Sequence, residues 1–176
     1  MKGYKSNKPR RIAIISDIHS NLTALKAVFS YFDNYPVDDI YCLGDIVGYG
    51  AASSECVDLI RQHNVYCIQG NHDAQVREPR DPYMRYEAIK GLELAENQLS
   101  RENKNWLAEL PCQKIDQKIG AVFVHGTVAS RDDYIFYSYS IETNLGALNR
   151  MGQNYRICFF GHSHLAMVLT ANQHNK

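Results

Sequence analysis

Long apolar runs are what this chain most lacks. The longest, Leu165 to Leu169, falls far short of the roughly 20 residues that a helix needs to cross a bilayer, and the basic stretch Met1 to Arg11 has no apolar core to make a signal peptide. No membrane role is expected. An excess of either charge is missing as well: 19 Lys and Arg face 19 Asp and Glu, a formal net charge of zero with histidines neutral. Without a basic track, a long nucleic acid is not an expected partner. No Cys-x-x-Cys pair exists, so a structural zinc knuckle is not expected. The five cysteines, Cys42, Cys56, Cys67, Cys112 and Cys158, are odd in number, and three lie within apolar runs. They read as small core residues in a reducing compartment, which makes the expected location cytoplasmic. No Gly-x-Gly-x-x-Gly follows the first apolar run, which weakens a nucleotide-binding Rossmann reading, and no repeat of solenoid period occurs.

What is present fits one domain. The chain of 176 residues is long enough to bury a core, and it divides into a flexible basic tail over 1–11, a single domain over 12–170 and a short tail over 171–176. Ile12 to Ile15 reads as a strand. Asn21 can cap a helix with Leu22, Leu25, Phe29 and Phe32 on one face, ending before Pro36, and Ile40 to Leu43 is the next strand. The unit repeats with a helix capped by Ser53 and carrying Cys56, Val57 and Ile60, then a strand over Val65 to Ile68. Strand, helix and strand at this spacing predict parallel pairing. The charged, proline-broken stretch Arg77 to Tyr86 reads as a connection. Ala88, Leu92, Ala95 and Leu99 mark a helix interrupted by Gly91, and Ser100 can cap another that holds Trp106 and Leu107 and stops at Pro111. A hairpin over Gln113–Gln117 and Ala121–Val124 follows. Ile141, Leu145 and Leu148 make one more helix before Gly152, and strands are expected at Ile157–Phe160 and Leu165–Leu169.

Five apolar runs end in the same way. Ile12–Ile15 leads to Asp17 and His19, Tyr41–Leu43 to Gly44 and Asp45, Cys67–Ile68 to Gly70, Asn71, His72 and Asp73, Ala121–Val124 to His125 and Gly126, and Ile157–Phe160 to Gly161, His162 and His164. Carboxyl ends of strands are where open α/β sheets gather ligands. Asp17 and Asp45 offer carboxylate oxygen, Asn71 a carbonyl oxygen, and His19, His125, His162 and His164 ring nitrogen. Such a set exceeds the needs of one tetrahedral zinc and suits two ions sharing a carboxylate, the arrangement that phosphoryl chemistry exploits. Spacing of two residues in an extended segment would place Asp17 with His19, and His162 with His164, on one side.

Read in order, the blocks Asp17-Ile-His19, Gly44-Asp45-Ile-Val-Gly48, Gly70-Asn71-His72-Asp73, His125-Gly126 and Gly161-His162-Ser-His164 resemble the calcineurin-like metallophosphoesterases. The run Asp-Ile-His-Ser-Asn-Leu and the run Gly-Asp-Ile-Val-Gly-Tyr-Gly look like the small bacterial and archaeal phosphodiesterase branch. The resemblance implies an α/β (α+β) fold, a four-layer αββα sandwich of two mixed β-sheets flanked by helices. It implies that Asp17, His19 and His164 hold one divalent transition metal, that Asn71, His125 and His162 hold a second, and that Asp45 bridges them. Manganese is the expected ion, with Fe, Ni or Zn as alternatives. A hydroxide shared by the two ions would attack phosphorus, and His72 would bind the phosphate and aid the leaving group. Asp73 would orient that imidazole or, equally, cap a turn. Asn71, His72 and Arg131 are the expected contacts to a small phosphorylated substrate, a phosphodiester or phosphomonoester.

Two departures bear on function. Gly48 and Tyr49 stand where the protein Ser/Thr phosphatase branch has Asp and Arg, which disfavours that substrate class. After His164 the Asn-Pro-Gly-Ser turn and closing strands of the family do not follow, so the carboxyl-terminal strands are expected to be shortened, exposing an edge that a second copy in a homo-oligomer could cover. The competing reading is a non-catalytic scaffold of the same fold that binds protein partners.

Overall fold

The computed structural model describes residues 9–152 and 155–170. The outer parts of the expected tails, 1–8 and 171–176, lie outside the described residues. Arg10 and Arg11 do not belong to a free tail: the Arg10 guanidinium meets Asp39 at 2.5 Å and Asp116 at 3.4 Å, and the Arg11 backbone N–H donates to the Asp38 carboxylate.

The first half alternates as the patterning predicts. Strand β1 (Ile12–Ile15) leads to helix α1 (Leu22–Asn34), then come β2 (Asp39–Cys42), α2 (Ser53–Gln62) and β3 (Tyr66–Cys67). The Asn21 side chain accepts from the Ala24 N–H and opens α1, which buries Leu25 and Phe29 and stops at Tyr35, ahead of Pro36. The cap of α2 is Ala52, not Ser53. The Ser53 hydroxyl lies one position into the helix, where it pairs with the Ser20 hydroxyl at 2.7 Å in a buried contact. This ties α2 to the turn after β1.

A five-residue helix α3 (Asn71–Gln75) follows β3, and then α4 (Tyr86–Gln98) and α5 (Arg101–Glu109). Gly91 in α4 is a point of close approach. A Cβ there would lie 2.1 Å from the Tyr49 backbone nitrogen, so the missing side chain is what lets α4 rest on the loop after β2. The connection over 77–86 is pinned, with Arg80 reaching Glu96 and the Ile89 carbonyl. Strands β4 (Gln113–Asp116) and β5 (Ala121–Val124) form the expected antiparallel hairpin, followed by α6 (Ser138–Met151), closed by Gly152, and by β6 (Ile157–Phe159).

Alternation along the strands sorts the residues into layers. Cys42, Cys67 and Ile40 face α1, α2, α4 and α5, joining Phe29, Ile60, Leu92 and Leu107 in the largest core. Tyr41, Leu43 and Ile68 point the other way and meet Ala121 and Phe123 of the second sheet, where the Tyr41 and Phe123 rings stack at 4.1 Å. Val122 and Val124 then face Leu148 of α6. The result is the four-layer sandwich of helices, sheet, sheet and helix. Mixed pairing holds for the second sheet, where β4–β5 is antiparallel and β5–β6 parallel. The first sheet, in the order β1-β2-β3, has only parallel pairs among the described residues, because each of its strands follows a helical crossover.

The strand expected at 165–169 does not form. A strand needs a ladder partner, and among the described residues no strand pairs with this segment; Leu165 and Val168 are exposed.

Candidate metal centre

All the polar strand ends converge on one face because β1, β2 and β3 are mutually parallel, β5 is parallel to β6, and the two sheets stack. Backbone bonds stitch the loops together beyond the ladders. The Asp17 N–H donates to the Gly44 carbonyl, the His19 N–H to the Asp45 carbonyl and the Gly161 N–H to the His125 carbonyl, at 2.8 to 3.0 Å.

Three overlapping groups of potential ligands result, their ligand atoms within 4.8 Å of one another: Asp17, His19 and His164; His19, Asp45 and His72; Asp45, His125 and His162. Asp45 belongs to two of them. Asn71 completes the set, its side-chain oxygen 3.1 Å from His125 Nε2. Every residue singled out as a ligand from the sequence is thus brought together. An extended two-residue spacing is not what brings them together. Asp17, His19, His162 and His164 have φ between 48° and 63°, so the chain is not extended there, and His162 and His164 fall into different groups. Left-handed backbone at non-glycine residues costs on the order of 1–3 kcal/mol each and persists where the surroundings enforce it.

The hydrogen bonds fix which ring atoms face inward. His125 Nδ1 donates to the Leu43 carbonyl at 2.7 Å and His19 Nδ1 to the Val47 carbonyl at 3.2 Å, so each directs Nε2 into the cluster. His162 donates through Nε2 to the Asp132 carbonyl at 3.2 Å, which leaves Nδ1 as its ligating atom. Such outer hydrogen bonds orient metal-binding imidazoles. Two further contacts fit cations at this centre. Nε2 of His19 and Nε2 of His164 approach to 3.1 Å, and the buried Asp17 Oδ1 has no hydrogen-bond partner. A buried carboxylate oxygen left so is costly unless an ion or proton meets it.

Electrostatics show what occupies the cluster when no ion does. Burial alone would raise the Asp45 carboxyl, but His125, with His72 and His19 beyond it, pulls it well below the usual carboxylate range. Burial pulls His125 down, and the charge of Asp45 overrides it, pushing the imidazole up to about 9. The proton on His125 Nε2 then points at Asp45 Oδ2, 3.4 Å away, where a metal would lie. A raised histidine stabilises the fold fully below its ordinary value of 6.5, and that contribution is lost as pH climbs through about 9. The metal-free protein is therefore expected to melt a few degrees lower at pH 9 than at pH 7. Metal uptake at pH 7.5 should release about one proton from this site. Thermal melts of chelator-treated protein, and calorimetry in buffers of different ionisation enthalpy, check both.

The residues beside the ligands divide less simply than expected. His72 is buried, its backbone N–H donates to Asp45 Oδ1 at 2.9 Å, and its Nδ1 has no partner. Burial pulls the ring down to about 4, so it is neutral at pH 7. Asp73 does not orient it: its carboxylate accepts from the Ile46, Val47 and Gly70 N–H groups. Three backbone donors claim those oxygens, and its role is to lock the turn after β2 onto the start of α3. Arg131 is not a free phosphate contact either, because its guanidinium is held by Gln69 and Glu78.

What lies against His72 Nδ1 is Gly48, at φ +94°, where a Cβ would come within 2.2 Å of that nitrogen. Gly48→Ala is expected to displace the imidazole and, for the role at phosphorus that the resemblance implies for His72, to lower turnover by about 10²-fold, the cost of a displacement of roughly 1 Å, with metal content unchanged. Steady-state kinetics beside metal analysis checks this. Two aromatic side chains neighbour the candidate ligands. Tyr49 stands edge-on to His19 at 4.8 Å and 4.9 Å from the His72 ring, and Tyr134 stacks on His162 at 3.9 Å. The tyrosine-rich stretch 132–139 is the sequence signal for the second, as a segment lining the approach to the site, and the place of Tyr49 beside Gly48 in the second block is the signal for the first.

Known proteins share the fold and much of the sequence of this chain. A profile described as the calcineurin-like phosphoesterase superfamily domain matches residues 11–175. An uncharacterised protein of Methanocaldococcus jannaschii is 39% identical over 165 residues, covering 89% of this chain and 63% of that protein. The crystal structure of a metallophosphoesterase from Sphaerobacter thermophilus superposes with a TM-score of 0.72 at 37% identity, covering 89% of this chain and 62% of the other. A hypothetical protein from Pyrococcus horikoshii shares the fold, with a TM-score of 0.69 at 19% identity and coverage of 87% and 77%. The chain thus spans less than two thirds of the length of the first two.

Proposed function

The chain belongs to the calcineurin-like phosphoesterase superfamily, and on that premise we propose that it is a binuclear metal-dependent phosphoesterase acting on a small phosphodiester or phosphomonoester. The observation that carries the reading is Asp45, whose carboxylate is shared by two groups of ligand atoms with an orphaned carboxylate oxygen of Asp17 nearby. Asp17, His19 and His164 would hold one ion, and Asn71, His125 and His162 the other. Mixed nitrogen and oxygen donors suit Mn, Fe, Ni or Zn. Two such ions would supply Lewis acidity at the phosphoryl oxygens and an activated water as nucleophile.

The protein's own contribution is positioning and proton handling. Asp45 fixes His72 through its backbone N–H. At neutral pH the neutral imidazole serves as a hydrogen-bond donor to a phosphoryl oxygen. A bound anionic phosphoester offsets the burial that holds the ring near 4, which brings it towards the protonated form able to donate to the leaving oxygen. No helix among the described residues is long and apolar enough to cross a membrane, and a cytoplasmic enzyme is the proposal.

Metal analysis of the purified protein, run beside hydrolysis of bis(p-nitrophenyl) phosphate with added Mn²⁺, tests this. Bound metal together with turnover supports the enzyme. Tightly bound metal without turnover favours the scaffold instead.

A further inference from the structure

His19, His125 and His162 are each held by a ring hydrogen bond to a backbone carbonyl. His72 lacks such a bond on Nδ1, and Asp45 accepts only from its backbone N–H, which fixes the main chain and not the ring. Rotation of an imidazole about its last side-chain torsion is soft, so packing must set the plane of this one. Gly48 closes off the Nδ1 side. Elsewhere the rings of His72, His19 and Tyr49 form a triangle, His19 to His72 at 4.8 Å and 73°, His19 to Tyr49 at 4.8 Å and 89°, Tyr49 to His72 at 4.9 Å and 32°. Edge-on and tilted contacts at such separations are the favoured geometries of aromatic pairs. Since His19 is already fixed by the Val47 carbonyl, the free orientation in the triangle is that of His72, and Tyr49 is the ring that can set it.

The backbone of Tyr49 is held where this contact needs it. Its φ of 52° is left-handed, a conformation that the surroundings must enforce at a residue with a Cβ. On one side the Gly50 N–H donates to the His19 carbonyl at 3.1 Å. On the other, α4 comes so close that a Cβ on Gly91 would lie 2.1 Å from the Tyr49 nitrogen and 2.5 Å from its Cα. A side chain that stays 44% exposed gains little core packing from this clamp, whereas the contact with His72 depends on it. Resting on the phosphoesterase reading, we propose that Tyr49 is a positioning residue for His72, whose ring, and not its hydroxyl, holds the plane in which the imidazole meets the phosphoryl group.

Tyr49→Leu and Tyr49→Phe test this by two readouts. In carbon–proton spectra of the histidine rings, taken on protein saturated with diamagnetic Zn²⁺, the leucine variant should broaden or double the His72 signals. The phenylalanine variant, which restores the ring, should return them to one sharp set. With Mn²⁺ and bis(p-nitrophenyl) phosphate, Tyr49→Leu should lower kcat by about tenfold to a hundredfold at unchanged KM and metal content, the pattern of an interaction made only in the transition state. Tyr49→Phe should rescue it. In a His72→Ala background the leucine substitution should cost nothing further, because residues acting through one group are not additive. Sharp, single His72 signals in the leucine variant, a phenylalanine variant as impaired as the leucine one, loss of metal from either, or an undiminished cost in the His72→Ala background overturns the proposal. A wild-type protein without turnover would count against the phosphoesterase reading, and the spectra would still decide what Tyr49 does to the ring.

Discussion

Replacing His72 with alanine is expected to lower kcat for a generic phosphodiester by about 10²–10⁴-fold, the range for loss of a positioned acid–base group, with both metals still bound. The imidazole is buried and pulled down to about 4, yet the strong interactions around it are made by its backbone N–H, which donates to Asp45 and survives the substitution. The ring nitrogen against Gly48 has no partner to lose. His72→Ala should thus separate chemistry from metal binding. The contrary result is informative, because the ring also lies within ligand distance of His19 and Asp45. Loss of one metal in the alanine variant would make His72 a ligand.

Asp45→Asn has the larger reach. The side chain keeps its shape and an oxygen able to accept from the His72 N–H, but the charge is gone from the one carboxylate common to two ligand groups. Metal content should fall by at least half and turnover by about 10³-fold or more, because an ion at phosphorus supplies several kcal/mol of transition-state stabilisation. The same change should erase the loss of metal-free stability between pH 7 and pH 9, since the charge that pushes His125 up to about 9 is that of Asp45. Metal analysis, kinetics and melts on one preparation read all three, and retention of both metals would contradict the shared-carboxylate role.

How much of this was legible in the sequence follows from which interactions side chains report. The candidate ligands are visible because a carboxylate or imidazole at the end of a buried-type strand has little structural reason to be there. The layers were visible because alternation along Tyr41, Cys42 and Leu43 divides cleanly between two cores. The acceptors that orient the imidazoles, the carbonyls of Leu43, Val47 and Asp132, were not, since a carbonyl is the same in every residue. Of the two readings of Asp73, capping of the turn holds and orientation of His72 does not, because three backbone donors claim the carboxylate and the nearest acid in sequence is not the nearest in space. Arg131 is not a phosphate contact because of an interaction equally remote in sequence, its ion pair with Glu78 bridging 53 positions. Ser53 reads as a cap from its neighbours alone, but its hydroxyl is drawn to Ser20 in a distant loop. Residues 165–169 have strand composition; pairing depends on a partner that composition does not encode.

The paired character of the centre is open to one direct measurement, electron paramagnetic resonance of the manganese-loaded protein with the metal counted on the same sample. Two ions per chain sharing Asp45, roughly 3.5–4 Å apart, give an exchange-coupled spectrum. A six-line spectrum of isolated manganese, with one ion or fewer per chain, would contradict the binuclear centre.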